Sequence, residues 1–180
     1  MRAILATLLA GFFSVIALGM LGAGAFWVKY EKPEPQPIAY PHDLHAGKLN
    51  LECTHCHVYV DKSQYATVPA MKICMDCHKD AQIVSPEIDK LKKFWENEEP
   101  IPWQRIHSVP NHVYFSHERH VKFFAAKGET YKDGQICAKC HGNMKVVKEV
   151  KQTRTLKMGF CVSCHRAEGA PTDCWTCHKS

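Results

Sequence analysis

Every cysteine of this chain, ten in all, belongs to a Cys-x-x-Cys-His unit. The units read CTHCH (53–57), CMDCH (74–78), CAKCH (137–141), CVSCH (161–165) and CWTCH (174–178). Zinc ribbons use such pairs two at a time, and five is odd; a disulfide scaffold has no use for a histidine after each pair. With 12 histidines in 180 residues, five such placements by chance have a probability on the order of one in a million. The spacing fits a different chemistry. Two thiols separated by two residues match the span between the two vinyl groups of one haem and add across them. The histidine directly after sets its imidazole under the iron. Five covalently bound haem c groups are therefore expected on Cys53, Cys56, Cys74, Cys77, Cys137, Cys140, Cys161, Cys164, Cys174 and Cys177. The proximal iron ligands are then His57, His78, His141, His165 and His178.

Seven histidines lie outside that set: His42, His45, His55, His107, His112, His117 and His120. Two pairs, His42-x-x-His45 and His117-x-x-His120, each precede a group of units, so the chain reads as a weak internal duplication. Spaced by one helical turn, the imidazoles of a pair fall on one side and reach two neighbouring irons. Taking both pairs leaves one distal ligand to find, and His107 in IPWQRIHSVP is the choice from sequence. His112 and His55 remain spares, expected at the surface. Methionine competes for a distal position, with Met158 and Met144 near the C-terminal triplet as candidates; a His/Met iron sits at higher potential than a bis-His one. Met71 and Met75 are expected to pack on porphyrin edges.

Residues 3–28 form an apolar run free of charge, interrupted only by the hydroxyls of Thr7 and Ser14. The run is long enough to cross a bilayer as a helix. Trp27 and Tyr30 stand where an interfacial aromatic belt would lie, with Lys29 and Lys32 beside them. Ala23-Gly24-Ala25 resembles a signal-peptide cleavage site, but the run exceeds the ~7–15 residues of an ordinary h-region, so an uncleaved anchor is expected. Small residues at Ala3, Thr7, Gly11, Gly19 and Ala23 make a stripe that a second helix could approach closely. Haem attachment takes place outside the bacterial cytoplasm, which puts the remainder of the chain on the periplasmic side of the cytoplasmic membrane.

The organisation then reads as an anchor (1–30), a Pro-rich tether (31–40) and a pentahaem domain (41–180). The last divides into a two-haem part (41–80), a connecting region that supplies distal ligands (81–136) and a three-haem part (137–180). Some 150 residues serving five haems are too few for an ordinary apolar core. The expected fold is mainly α and irregular, short helices and loops wrapped around stacked haems, without long sheet. Ser85-Pro86 predicts a helix start and Pro100 marks its limit; Ser116 starts a second helix that ends at Gly128. The formal charge of +5 does not point to nucleic acid, since five ferric haems with their propionates contribute about −5.

The stretch IPWQRIHSVPNHVYFSHERHV (101–121), followed by CAKCHG and LKMGFCVSCHR (156–166), resembles the pentahaem cytochrome c subunit of alternative complex III. PHDLHAGKLNLECTHCHVYV (41–60), with the anchor before it, extends the likeness along nearly the whole chain. The FSHxxHV element alone is shared with class III multihaem cytochromes. The resemblance supports His42, His45, His107, His117 and His120 as distal ligands, and the family also carries a methionine before the fourth unit, matched by Met158. It leaves open whether one haem is His/Met. It implies an electron relay, without catalysis of its own, inside a quinol-oxidising respiratory or photosynthetic complex. The implied partners are an iron–sulfur protein and polytopic quinol-binding subunits as donors, and a monohaem cytochrome c leading to a soluble acceptor. The alternatives are a stand-alone anchored quinol dehydrogenase and a multihaem reductase. The reductase needs an iron with an open position, and the histidine count argues against one.

Overall fold

The structure, a computed structural model, describes residues 2–31 and 35–179, with side chains for all of these except 27–31. The expected interfacial residues Trp27, Lys29, Tyr30 and Lys32, and the first part of the tether, lie outside the described side chains or residues. The chain divides into two compact units, one up to Pro35 and one from Gln36 onward.

The first unit is helix α1, Arg2–Glu31. Its 30 residues reach about 45 Å at 1.5 Å per residue. Its side chains from Arg2 to Phe26 are exposed, large apolar ones included. The only hydroxyls of the run are satisfied within the helix, Thr7 Oγ1 donating to the Ala3 carbonyl (3.1 Å) and Ser14 Oγ to Ala10 (2.8 Å). Apolar surroundings tolerate a hydroxyl on those terms. Arg2–Phe26 is long and apolar enough to cross a membrane, a test that a signal sequence also passes. The helix continues past the apolar run because Lys29, Tyr30 and Glu31 suit a helix as well as the residues before them.

The second unit is a set of short helices. They are α2 (Cys53–Cys56), α3 (Met71–His78), α4 (Pro86–Glu96), α5 (His117–Ala126), α6 (Gln135–His141), α7 (Met158–Glu168) and α8 (Cys174–Cys177). A π-helical turn at Asp43–Lys48 and a 3-10 turn at Met144–Val146 join them. Among the described residues there is no strand, only an isolated antiparallel bridge between Val113 and His178.

Two helices begin where their caps require. Ser85 accepts from the Glu87 amide (3.3 Å) with Pro86 in the first turn, and Ser116 accepts from the Arg119 amide (3.4 Å). Gly128, just past α5, takes φ +86, the left-handed conformation that glycine adopts without penalty. The apolar core is small. Val60, Val121, Phe124 and Ile136 form one buried cluster; Ile38, Met75 and Leu91 form another, with Met71, Phe94 and Trp103 packed on it. Met75 is buried in the second cluster, and Met71 packs on it beside Phe94 and Trp103.

Candidate functional site

Each Cys-x-x-Cys-His unit coincides with a turn of helix. CTHC and CWTC are α2 and α8, with the histidine next; the other three units lie inside α3, α6 and α7. Positions i, i+3 and i+4 of a helix share one face. Both thiols and the imidazole of a unit therefore leave the backbone together. At α8 the turn is held by Asp173, which accepts from the Thr176 amide (3.2 Å) and hydroxyl (2.6 Å). All ten thiols are free.

The thiols also report which units adjoin. The Cys137 thiol acts on Cys53 to lower it to about 7, and Cys53 together with burial pushes Cys137 up. Burial raises Cys56, with Cys53 and Cys77 adding to it, and burial with Cys56 raises Cys74. Burial raises Cys140, with Cys164 and Cys161 adding, and burial with Cys177 raises Cys161. Read as neighbours, the units run second, first, third, fourth, fifth. A backbone tie agrees at the first junction, where the Cys53 amide donates to the Lys132 carbonyl (2.9 Å) just ahead of α6.

The two His-x-x-His pairs share one geometry. An aromatic ring two residues ahead of each pair packs edge-on to the first histidine: Tyr40 on His42 (4.8 Å, 85°) and Phe115 on His117 (4.8 Å, 90°). The same ring stacks on the second histidine: Tyr40 on His45 (4.4 Å, 21°) and Phe115 on His120 (4.4 Å, 29°). The second histidine then faces the second unit downstream, His45 opposite His78 (6.1 Å, 60°) and His120 opposite His165 (6.0 Å, 51°). In the second pair the first histidine meets the unit next downstream. His117 lies 6.3 Å from His141 with planes 10° apart, and His42 feels the charge of His57. The N-terminus of α5 is fixed by two amides, His117 donating to Gln64 (3.0 Å) and Glu118 to Ser63 (3.1 Å), which brings this helix to the loop after the first unit.

Protons on these rings are assigned by their partners. A carbonyl only accepts, so Nδ1 donates in His45 to Pro41 (3.0 Å), His57 to Thr67 (2.7 Å), His117 to Gln64 (3.0 Å), His120 to Ser116 (2.7 Å) and His165 to Pro171 (2.6 Å). Each of those rings then has its Nε2 lone pair free, the usual condition of a metal-bound imidazole. His42 Nδ1, His78 Nδ1 and His107 Nε2 are buried without a hydrogen-bond partner. Burial first, then neighbouring histidines, lowers His42 to about 4 and His141 to about 4. Burial likewise lowers His78, His107, His117 and His120, keeping the rings neutral and able to donate a lone pair.

Two imidazoles that share a metal at ~2 Å, with ring centres ~1.1 Å behind each nitrogen, stand about 6 Å apart. The pairs His45–His78, His120–His165 and His117–His141 meet that spacing. His107 lies edge-on to His141 at 4.4 Å, too close for an iron between them. His112 stacks near His178 (5.3 Å, 20°). His55 is exposed, Met158 is 69% exposed at the start of α7, and Met144 begins the 3-10 turn. Sequence reasoning missed Tyr40 and Phe115, although an aromatic two residues before each pair is visible in YPHDLH and FSHERH. Among the described residues, no group of three or more His, Cys, Asp or Glu could hold a metal ion by protein ligands alone.

No family model matches this chain, and no curated protein matches it.

Proposed function

We propose that this chain is a membrane-anchored pentahaem cytochrome c that relays electrons within a quinol-oxidising complex of the alternative complex III type. The observation that carries the reading is the pairing of unit histidines with opposing histidines about 6 Å away, each unit being a helical turn that presents two thiols beside its imidazole. A c-type haem bound there would supply one-electron exchange, and the opposed imidazoles would hold its iron. The chain's own residues do the holding. The paired cysteines fix each group in place, and the carbonyls of Pro41, Gln64, Thr67, Ser116 and Pro171 keep the Nδ1 protons and aim Nε2. Neighbouring ligands on a single element, His42 with His45 and His117 with His120, keep successive irons close, as fast electron hopping requires.

The partners rest on the motif order resembling the complex III alternative and on α1, which suits an anchor to the cytoplasmic membrane with the second unit on the periplasmic side. In this reading iron–sulfur and polytopic quinol-binding subunits supply electrons, and a monohaem cytochrome c takes them on to a soluble acceptor. The chain itself is a conductor. The test is isolation from its native membrane in mild detergent, with haem quantified as the pyridine haemochrome. We expect five haems per chain and co-purification of iron–sulfur and polytopic subunits. A chain that carried no haem, or that ran alone, would sink the reading.

A further inference from the structure

Building on the haem reading above, we propose that His112 is the distal ligand of the iron at the fifth unit, opposite His178, and that His107 ligates no iron. Three positions of the duplication are accounted for by ring geometry, in which His45, His117 and His120 face His78, His141 and His165. The fifth unit has no place in that duplication and needs a ligand from elsewhere. Residues 112–114 are fastened to it by backbone. Val113 and His178 form the antiparallel bridge, and the Tyr114 amide donates to the Cys177 carbonyl at 2.6 Å. Lys179 lies over the Tyr114 ring (4.4 Å) and adds a third tie.

The imidazoles of His112 and His178 lie within 20° of parallel at 5.3 Å. Reaching the ~6 Å of a shared iron takes less than an ångström, a shift within one side chain's torsions. His112 is exposed, so burial does not account for its position; the backbone ties do. His107 has no comparable opening. It abuts His141 at 4.4 Å, and His141 already faces His117 at a metal-sharing distance. Met158 is not needed either, since its unit's His165 faces His120.

The test compares His112→Ala and His107→Ala with the wild type, each as the full haem-loaded chain, by pyridine haemochrome and by electron paramagnetic resonance of the ferric protein. We expect a wild type with five haems, all low-spin. His112→Ala should keep its haem on Cys174 and Cys177 while one iron in five becomes high-spin and binds carbon monoxide when reduced. His107→Ala should leave every iron low-spin. His112→Met should restore the low-spin state with a near-infrared His/Met band and raise the potential of that one haem; should the alanine variant fail to mature, this band decides alone. A fully low-spin His112→Ala, no such band in His112→Met, or a high-spin iron in His107→Ala would overturn the assignment. Peptide mass spectrometry separates the two claims: a bare Cys174 and Cys177 would remove the cofactor reading beneath it.

Discussion

At the scale of single residues, the chain spends unusual backbone on aiming imidazoles. Thr67 is β-branched yet sits at φ +59, and its carbonyl receives the His57 Nδ1 proton at 2.7 Å. Such a residue pays on the order of 1–3 kcal/mol for that conformation, and the oxygen it turns inward is the one that orients the ring. Gly47 makes the same point through space. A Cβ there would run into the Lys145 carbonyl oxygen, because the π-helical turn behind His45 presses against the 3-10 turn at Met144–Val146. The Asp43 amide, bound to the Val147 carbonyl at 2.9 Å, pins the two turns together. Elsewhere in a helix, Gly→Ala would gain ~0.5–1 kcal/mol. Here the obstacle is main chain, which cannot rotate aside. Gly47→Ala is expected to lower stability by ~1–3 kcal/mol, read as a lower midpoint in chemical denaturation followed by tryptophan fluorescence. An unchanged or raised midpoint would mean that the two turns are not in contact.

At the scale of elements, α5 was legible because its signals are local. Ser116 as cap, His117, His120, Val121 and Phe124 on one stripe, and Gly128 after the end all follow from spacing. The matching pair opens on an ordinary turn, His45 and Leu44 both donating to the Pro41 carbonyl (3.3 Å), but Asp43–Lys48 winds as a π-helix that the sequence did not signal, with the Leu49 amide donating to Leu44 (2.8 Å). Nothing local sets that winding; it goes with the close approach of residues 144–147, a hundred positions away. The place of His112 was hidden for the same reason, since its neighbour His178 is distant in sequence. Helix α4 offers a test of how elements dock. Glu87 accepts from the Ala39 amide (2.6 Å) and from Lys90 (2.7 Å), and Lys90 first, then that amide, hold its carboxyl below the usual carboxylate range. A value depressed on folding adds stability above the unfolded value of roughly 4 and loses it as pH falls through the folded value. The melting temperature of the wild type should therefore fall more steeply below about pH 4 than that of Glu87→Gln, with the gap between them closing as acid protonates the wild-type carboxyl. The gap will be small, because the Glu87–Lys90 pair lies at the surface, where solvent screens it. Parallel curves for the two proteins would show that the carboxylate does not dock the helix.

At the scale of the whole molecule, the order second, first, third, fourth, fifth of the units explains why the sequence looks like a duplication with a remainder. Two halves, each a His-x-x-His element with the two units after it, adjoin where the Cys53 sulfur lies beside Gly134 at the start of α6, and the fifth unit extends one end. What holds this arrangement is not apolar packing between helices. Only seven apolar side chains are buried among the described residues, in two separate clusters, and none is fully enclosed. Clusters of that size fall well short of the apolar area that a domain of this length needs to offset its conformational entropy. On the proposed function, the opposed histidine rings about 6 Å apart are joined through the haem irons. If the proposed function holds, the chain made without haem attachment should keep part of its helical far-UV circular dichroism but lose cooperative thermal unfolding and bind a hydrophobic dye, as expanded states do. The haem-loaded chain should unfold in one transition and leave the dye dark. A sharp transition in the unloaded chain would show that the two clusters suffice as a core, and that the opposed imidazoles are held by the fold itself and not drawn together by what lies between them.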